Sequence, residues 1–351
     1  MVSDEPMGVT GLMRERSGVT ISEVAAAAGV SRQTVSNVLN APDRVAPATA
    51  ERVRRAIDEL GYLPNRAARN LRERTSRCIG FKIAAPSGLN NLLDRFLHAL
   101  AESAGGVGYH LLLFSAATAD EELAAYAELT GTGTVDGFVL ADIDTADKRP
   151  DWCAERGIPC VSFGRPADPG RCSWVDVDGA DGLAQSVDHL VARGHRRIAY
   201  LGWPEGQRVG DERRAGWRAA MRRHGLATEG LSGAGAEDPA EIAAVARRMM
   251  EQPDPPTAFA CGSDTFAVAA RQAIGADSAG RPRVEAVGYD DSPSAALMTP
   301  PLSSVRQPLD KVAHHVVDLL VRQFREPGVP PEGVMLRPEL VARERPGEDP
   351  R

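Results

Sequence analysis

Between Thr20 and Asn40 the chain reads Thr-Ile-Ser-Glu-Val-Ala-Ala-Ala-Ala-Gly-Val-Ser-Arg-Gln-Thr-Val-Ser-Asn-Val-Leu-Asn. This pattern spells two short capped helices joined by a tight turn. Thr20 and Glu23 make a capping box, in which two backbone donors orphaned at a helix start are satisfied reciprocally. Ile21, Val24, Ala25 and Ala28 then recur on one helical face, and Gly29 ends the helix. Ser31 can cap a second helix whose Val35, Val38 and Leu39 point inward. Arg32, Gln33, Ser36 and Asn37 are left outward, polar and of the right reach for base edges.

Pro47 suits the first turn of a third helix, in which Val53, Ile57 and Leu60 share a face and Gly61 supplies the stop. Ala46 stands where a Ser or Thr cap is expected, a deficit of about 1 kcal/mol. After Tyr62-Leu63-Pro64, Asn65 can cap a short segment, residues 66–72, of helical composition but with almost no apolar face. Isolated helices under about 12–15 residues are weak in water. That segment is therefore expected to fold when an anion covers its Arg side chains and Leu71 finds a place to insert.

Charge separates this front end from the rest. Residues 1–77 hold 12 Arg against 9 acidic residues, net +3, which leaves −10 for the remainder. Only the front suits a polyanion, although Arg outnumbers Lys 38 to 3 throughout, so Arg abundance is largely compositional. The five cysteines are scattered without a Cys-x-x-Cys pair, which suggests neither a disulfide framework nor a zinc module and reads as a reducing cytoplasm. The opening residues carry no apolar signal-peptide run and no stretch suits a membrane span. Residues 1–18 read as a flexible tail.

From Cys78 onward short apolar runs alternate with amphipathic helices. Ile79–Ala84, Leu111–Phe114, Gly137–Leu140, Pro159–Phe163, Ile198–Leu201, Ala258–Cys261 and Val284–Tyr289 read as strands. Leu92–Ala104, Glu121–Leu129, Ala180–Ala192, Arg213–His224 and Thr265–Ile274 read as helices. Strict alternation argues for parallel sheets covered on both faces. The length favours two similar lobes with a cleft, where ligands bind beyond the carboxyl ends of strands.

Five segments in order carry a resemblance: Val19–Ala25 with Gly29-Val30-Ser31 and Thr34-Val35-Ser36; Gly61-Tyr62-Leu63-Pro64-Asn65; Gly194-His195-Arg196-Arg197-Ile198-Ala199; Val287-Gly288-Tyr289-Asp290-Asp291; and Pro301–Pro308. On these the chain resembles the LacI/GalR family of bacterial transcription regulators over roughly residues 19–345. The resemblance implies an α/β protein: an all-α helix-turn-helix headpiece at 19–64, a hinge helix and linker at 65–77, and a two-lobed periplasmic-binding-protein-like core of parallel sheets flanked by helices at 78–345, with a tail at 346–351. It places the N-lobe at about 78–163 and 306–331 and the C-lobe at about 164–305 and 332–345, with crossings near Phe163, Val305 and 331–336.

The implied partners are a near-palindromic double-stranded DNA operator, a second copy of the chain, and a small effector, a sugar or sugar derivative, with no membrane and no cofactor or metal. The implied base readers are Arg32, Gln33 and Asn37. Thr20, Ser22, Ser31, Thr34, Ser36, Asn40 and Asn65 are implied as further DNA contacts, with Ala68 close to the minor groove and Leu71 as its wedge. Effector binding falls on Arg213 and Asp290, with Asn91, Phe163, Gln207 and Ser263 as further lining positions. Departures from the family pattern are Leu92 and Leu93 in place of a common aromatic pair, Gly179 and Ser263 in place of Asn, and a slightly long loop at 86–91. The first removes an expected ring from the cleft.

Two rivals lack support in the sequence. An enzyme would need a catalytic motif, yet there is no Gly-x-Ser-x-Gly elbow, phosphate loop or His-Glu-x-x-His, and His314-His315 lie on an amphipathic helix. A solute-binding transport component would need export and would not need the headpiece. The function the resemblance implies is a repressor of carbohydrate-uptake or catabolism genes whose operator affinity is changed allosterically by an effector between the core lobes, with the sign of regulation not fixed by the residues themselves.

Overall fold

The computed structural model describes residues 19–62, 75–83, 91–276, 278 and 282–343. The chain divides into two compact units, residues 1–75 and 76–351.

In the first unit, α1 (Ile21–Ala28), α2 (Arg32–Asn40) and α3 (Pro47–Leu60) enclose a small core of Val24, Ala25, Val35, Val38, Val53 and Tyr62. The capping box forms as read. Thr20 donates from N and Oγ1 to Glu23 Oε2 at 2.7 and 2.8 Å, and Glu23 N donates back to Thr20 Oγ1. Bonds from the Thr20 amide and then its hydroxyl hold the Glu23 carboxyl below its usual range. Gly29 and Gly61, at φ 62° and 63°, take the left-handed conformation that ends α1 and α3. Ala46 contributes no capping bond. The buried face of α3 is rotated from the expected one: Ala50, Val53 and Ala56 are buried, Ile57 is partly so, and Leu60 is 38% exposed. Small alanines allow the close approach of α3 that the larger residues would prevent.

The second unit holds two six-stranded sheets. The first contains β1 (Cys78–Lys82), β2 (His110–Phe114), β3 (Gly137–Leu140), β4 (Cys160–Phe163), β5 (Ser173–Val177) and β11 (Gly333–Leu336), in the order β11-β5-β4-β3-β1-β2. The second contains β6 (Ile198–Gly202), β7 (Ser232–Ala234), β8 (Ala258–Cys261), β9 (Glu285–Tyr289), β10 (Ser303–Arg306) and β12 (Glu339–Val341), in the order β12-β10-β9-β8-β6-β7. Pairing is parallel except for β10 with β12.

This order corrects the expected lobe boundaries. β5 pairs with β4 and β11 with β5, so both belong to the first sheet. The first crossing therefore comes at Asp178 rather than near Phe163, and the third at Arg337-Pro338 rather than at 331–336. Ser-Trp-Val-Asp-Val at β5 is short and interrupted by Asp176, which hides the strand. Pro338, which cannot donate to a ladder, splits the apolar stretch after Leu336 into strands of different sheets. The second crossing follows Arg306, which ends β10 in the second sheet, against an expected N-lobe start at that residue.

Helices cover both faces of each sheet, as burial of a parallel sheet requires. In the N-lobe, α4 (Leu92–Gly106) and α12 (Leu309–Arg325) pack on one face through Phe96, Leu100, Val312, Val316 and Leu320. α5 (Ala119–Gly131) and α6 (Arg149–Glu155) cover the other with Tyr126 and Cys153. In the C-lobe, α7 (Gly179–Ala192), α8 (Arg208–Arg223), α9 (Pro239–Met250), α10 (Asp264–Ile274) and α11 (Pro293–Leu297) enclose Tyr200, Trp217, Phe259, Phe266 and Tyr289. α8 begins at Arg208, more than a turn before the expected Arg213. Gly210, a weak helix former, obscured that start; it is needed there because a Cβ would press on Trp203 at 3.2 Å. All five cysteines are free thiols. On α12, His314 is exposed and His315 half-buried. Among the described residues no helix is long and apolar enough to cross a membrane, and no group of His, Cys, Asp or Glu could hold a metal ion.

Candidate functional sites

The outer face of α2 is polar and preorganised. Arg32 and Gln33 are exposed, and Asn37 and Ser36 half-exposed. Gln33 Nε2 donates to Asn37 Oδ1 at 3.0 Å, which leaves the remaining amide donors and acceptors of the pair outward as one unit. Asn40 folds back, donating to Ser36 O at 2.7 Å. Ser31 accepts from the Thr34 amide at 3.1 Å, fixing the helix start. No acidic residue sits in the first turn of α2, so the partial positive charge of its orphan amides favours an anion such as phosphate. Ser22 is exposed beside Thr20 at the start of α1. Asn65, Ala68 and Leu71 lie outside the described residues.

In the second unit, Arg213 and Asp290 come together with Nη2 to Oδ1 at 3.7 Å, their side chains only 7% and 2% exposed. The Arg213 guanidinium also donates to the Gly262 carbonyl, and its carbon lies 3.6 Å from the Tyr289 ring centroid and 5.6 Å from that of Trp203. Its Nε is buried without a hydrogen-bond partner among the described residues. Gln307 Nε2 donates to Asp290 Oδ1 at 2.7 Å. Ser263 is fully buried at the residue before α10, where its hydroxyl donates a hydrogen bond to Glu237 and makes no capping bond to the helix.

Phe163 ends β4 and its ring meets that of Phe96 at a tilt of 45°, with centroids 4.7 Å apart. Asn91 sits at the start of α4 without capping it, its Oδ1 buried and unpartnered among the described residues. Gln207 is exposed before α8 and is not drawn to the Arg213 cluster. Between the lobes, Arg208 Nη1 reaches Asp176 at 3.2 Å, Arg165 Nη2 reaches Glu212 at 2.6 Å, and Thr145 Oγ1 donates to the Gly206 carbonyl at 3.2 Å.

Residues 20–65 match the model of the bacterial regulatory proteins of the lacI family, and residues 187–344 that of a periplasmic binding protein-like domain. The HTH-type transcriptional regulator CelR of Thermobifida fusca is 33% identical over 341 residues, 95% of this chain and 99% of that one. The chain belongs to the LacI family. The ribose operon repressor of Escherichia coli K12 is 29% identical over 92% of this chain and 98% of its own. Among solved structures, a CelR–cellobiose complex matches with TM-score 0.68 and 31% identity over 93% of this chain and 99% of that chain. A lac repressor dimer bound to operator and an anti-inducer matches with TM-score 0.76 and 26% identity over 93% and 98%.

As a LacI-family member the chain is a DNA-binding transcription regulator, and its cleft departs from the family pattern in a way the structure clarifies. Leu92 and Leu93 supply no ring, but Trp203, immediately after β6 and half-buried, stands beside Arg213. Sequence reading missed Trp203, although the rule that ligands sit beyond strand ends points straight at it. It also missed Arg208, Asp176, Arg165 and Glu212, which become neighbours only through the crossings, and Glu237, which meets Ser263 within the C-lobe. Gly179 lies on Arg213, and a Cβ there would meet Arg213 Cγ at 3.1 Å.

Burial pushes Glu237 above the usual carboxylate range, and nearby Asp290 adds to this, against bonds from Ser263 and Thr265 and the charge of Arg213. Burial lifts Asp264 to about 6, despite bonds from Ser304 and Ser292, with Asp290 again adding. Gly288 has no side chain because the Asp264 carboxylate lies against it. A folded value above the ordinary 3.8 means the folded state holds the proton more tightly, so this contribution to stability is present below that value and lost as pH rises to about 6. Asp264→Asn removes the penalty. Its stability relative to the parent is expected to rise by about 2 kcal/mol between pH 4 and 7, measured by denaturant unfolding across that range. A pH-independent difference contradicts the assignment.

Proposed function

We propose that the chain is a repressor that works as a dimer on a near-palindromic operator and is controlled by a sugar bound between its core lobes. The buried Arg213–Asp290 pair beside the Trp203 ring carries the sugar assignment. Arg can fork onto vicinal hydroxyls, Asp accepts from them, and an indole covers the apolar face of a pyranose. The relative solved as a CelR–cellobiose complex makes cellobiose the first probe. The relatives are regulators, and we assign the cleft ligand binding without catalysis, in the cytoplasm where the operator lies.

On DNA, Arg32, Gln33 and Asn37 read base edges, while Thr20, Ser22, Ser31, Thr34, Ser36 and Asn40 contact phosphates and fix register. The family resemblance adds Asn65, Ala68 and Leu71 of the hinge. A randomised-duplex selection followed by anisotropy titration with and without cellobiose tests the whole reading. Absence of sequence preference rejects the headpiece assignment, and absence of any sugar response rejects the cleft assignment.

Arg32→Ala is expected to relax preference at one base pair per half-site, at about 1–3 kcal/mol of discrimination. Because Gln33 and Asn37 are bonded to each other, their alanine variants should be non-additive by about 0.5 kcal/mol or more. Additive losses that are equal on operator and random DNA would place both on phosphates instead.

A further inference from the structure

The Asp290–Asp291 turn is held from both lobes. Its two residues have φ of 95° and 47°, a conformation that costs a non-glycine residue energy and persists only when its surroundings impose it. Within the C-lobe, Asp290 N donates to Val305 O and Asp291 N to Ser304 Oγ. The Asp290 carboxylate accepts from Gln307, and that of Asp291 from Arg306 and Arg343. The two carbonyls are met from the N-lobe: Arg95 Nη1 donates to Asp290 O at 2.7 Å and to Asp291 O at 3.0 Å, one hydrogen to each. Arg95 is rooted firmly. It lies in the first turns of α4 next to buried Phe96, whose ring packs on Phe81 of β1 and Phe163 of β4.

We propose that Arg95 is a positioning residue: it holds the Asp290 carboxylate in its ligand-binding orientation and transmits displacement of that carboxylate to α4 of the other lobe. This rests on the reading of Asp290 as an effector-binding group. A charge-assisted pair of bonds to consecutive carbonyls fixes the plane of the peptide between Asp290 and Asp291. Rotation of either lobe must then stretch those bonds or carry the turn along. A ligand that grips the Asp290 side chain shifts the lobe equilibrium by its different affinity for the two arrangements, and Arg95 makes α4 part of that difference.

The test uses the full chain as Arg95→Ala and Arg95→Lys, with cellobiose as the first probe and a monosaccharide and disaccharide panel behind it. Arg95→Ala should keep unliganded operator affinity within about threefold, weaken sugar binding about tenfold, and bring the ratio of operator affinities with and without saturating sugar towards one, a loss within the usual range of coupling. Arg95→Lys, which can still donate to a carbonyl, should recover part of the ratio. A merely structural role would lower thermal stability and leave the ratio at saturation unchanged, and that result overturns the proposal. If no sugar binds the parent protein, the effector reading falls separately. Hydrogen exchange of residues 289–292 then decides for Arg95: about tenfold faster exchange in Arg95→Ala sustains its hold on the turn, and unchanged exchange overturns it.

Discussion

Glu122→Ala should destabilise the core by about 3–5 kcal/mol, the usual loss when one partner of a buried ion pair is removed. Glu122 is 3% exposed on α5, yet three groups converge on it. Lys82 Nζ lies at 2.7 Å, the Tyr126 hydroxyl donates at 2.6 Å, and Arg149 Nη1 donates at 3.1 Å. Burial pushes its carboxyl up, but the bonds from Lys82, Tyr126 and Arg149 together outweigh this and hold it below the ordinary 4.5. A lowered folded value means that the contribution is complete above 4.5 and is lost as pH falls through the folded value. The deficit of Glu122→Gln, which preserves shape without charge, should therefore be constant from pH 6 to 8 and shrink below about 4.5.

The same network reaches the cleft. Arg149 Nη2 donates to the carbonyls of Ala141 and Asp142, the latter at φ 56°, and so shapes the loop that carries Thr145 to Gly206. Glu122→Ala should accordingly weaken ligand binding as well as stability. Denaturant unfolding of the core and sugar titration check the two effects. A loss under about 1 kcal/mol would mean that water replaces the carboxylate at no cost.

What could be read from sequence and what could not differ by the range of the contacts involved. The headpiece was legible because its signals are local: Thr20 with Glu23, Ser31 with Thr34, and Gly29 each act within a turn of helix. The rotated face of α3 was not, since choosing Ala50 and Ala56 over Leu60 depends on how closely another helix approaches. Lobe membership of β5 and β11 was hidden for a related reason. A five-residue strand containing Asp176 gains its place from neighbours in the sheet, and Asp176 is itself retained for Arg208 and the Arg165 amide. In the cleft, Arg213 and Asp290 came from motif resemblance, and the fold sets them 3.7 Å apart. Gln207 did not join them; Trp203 was signalled only by its place just after β6, and Glu237 and Arg95 had no local pattern to announce them.

Arg213→Met should abolish the sugar response at accessible concentrations, a loss of about 100-fold or more if two bonds to ligand oxygens go with it. It should also lower core stability, because the cation beside the buried Asp290 carboxylate is removed. These two effects have different origins and can be separated. The double variant Arg213→Met with Asp290→Asn removes the uncompensated charge, keeps an acceptor for Gln307, and leaves the methionine to pack against Tyr289 and Trp203. It should recover about 2–4 kcal/mol of the stability lost in the single variant, since neutral replacement of a buried pair is far less costly than breaking it. It should recover none of the sugar response. Operator affinity without sugar should stay near that of the parent in both variants, as the headpiece folds around its own core of Val24, Val35 and Val53. Calorimetry for stability and anisotropy on operator DNA, each with and without cellobiose, give the four numbers required. A double variant that regains stability and sugar response together would make the Arg213–Asp290 pair an internal strut and move the ligand elsewhere in the cleft.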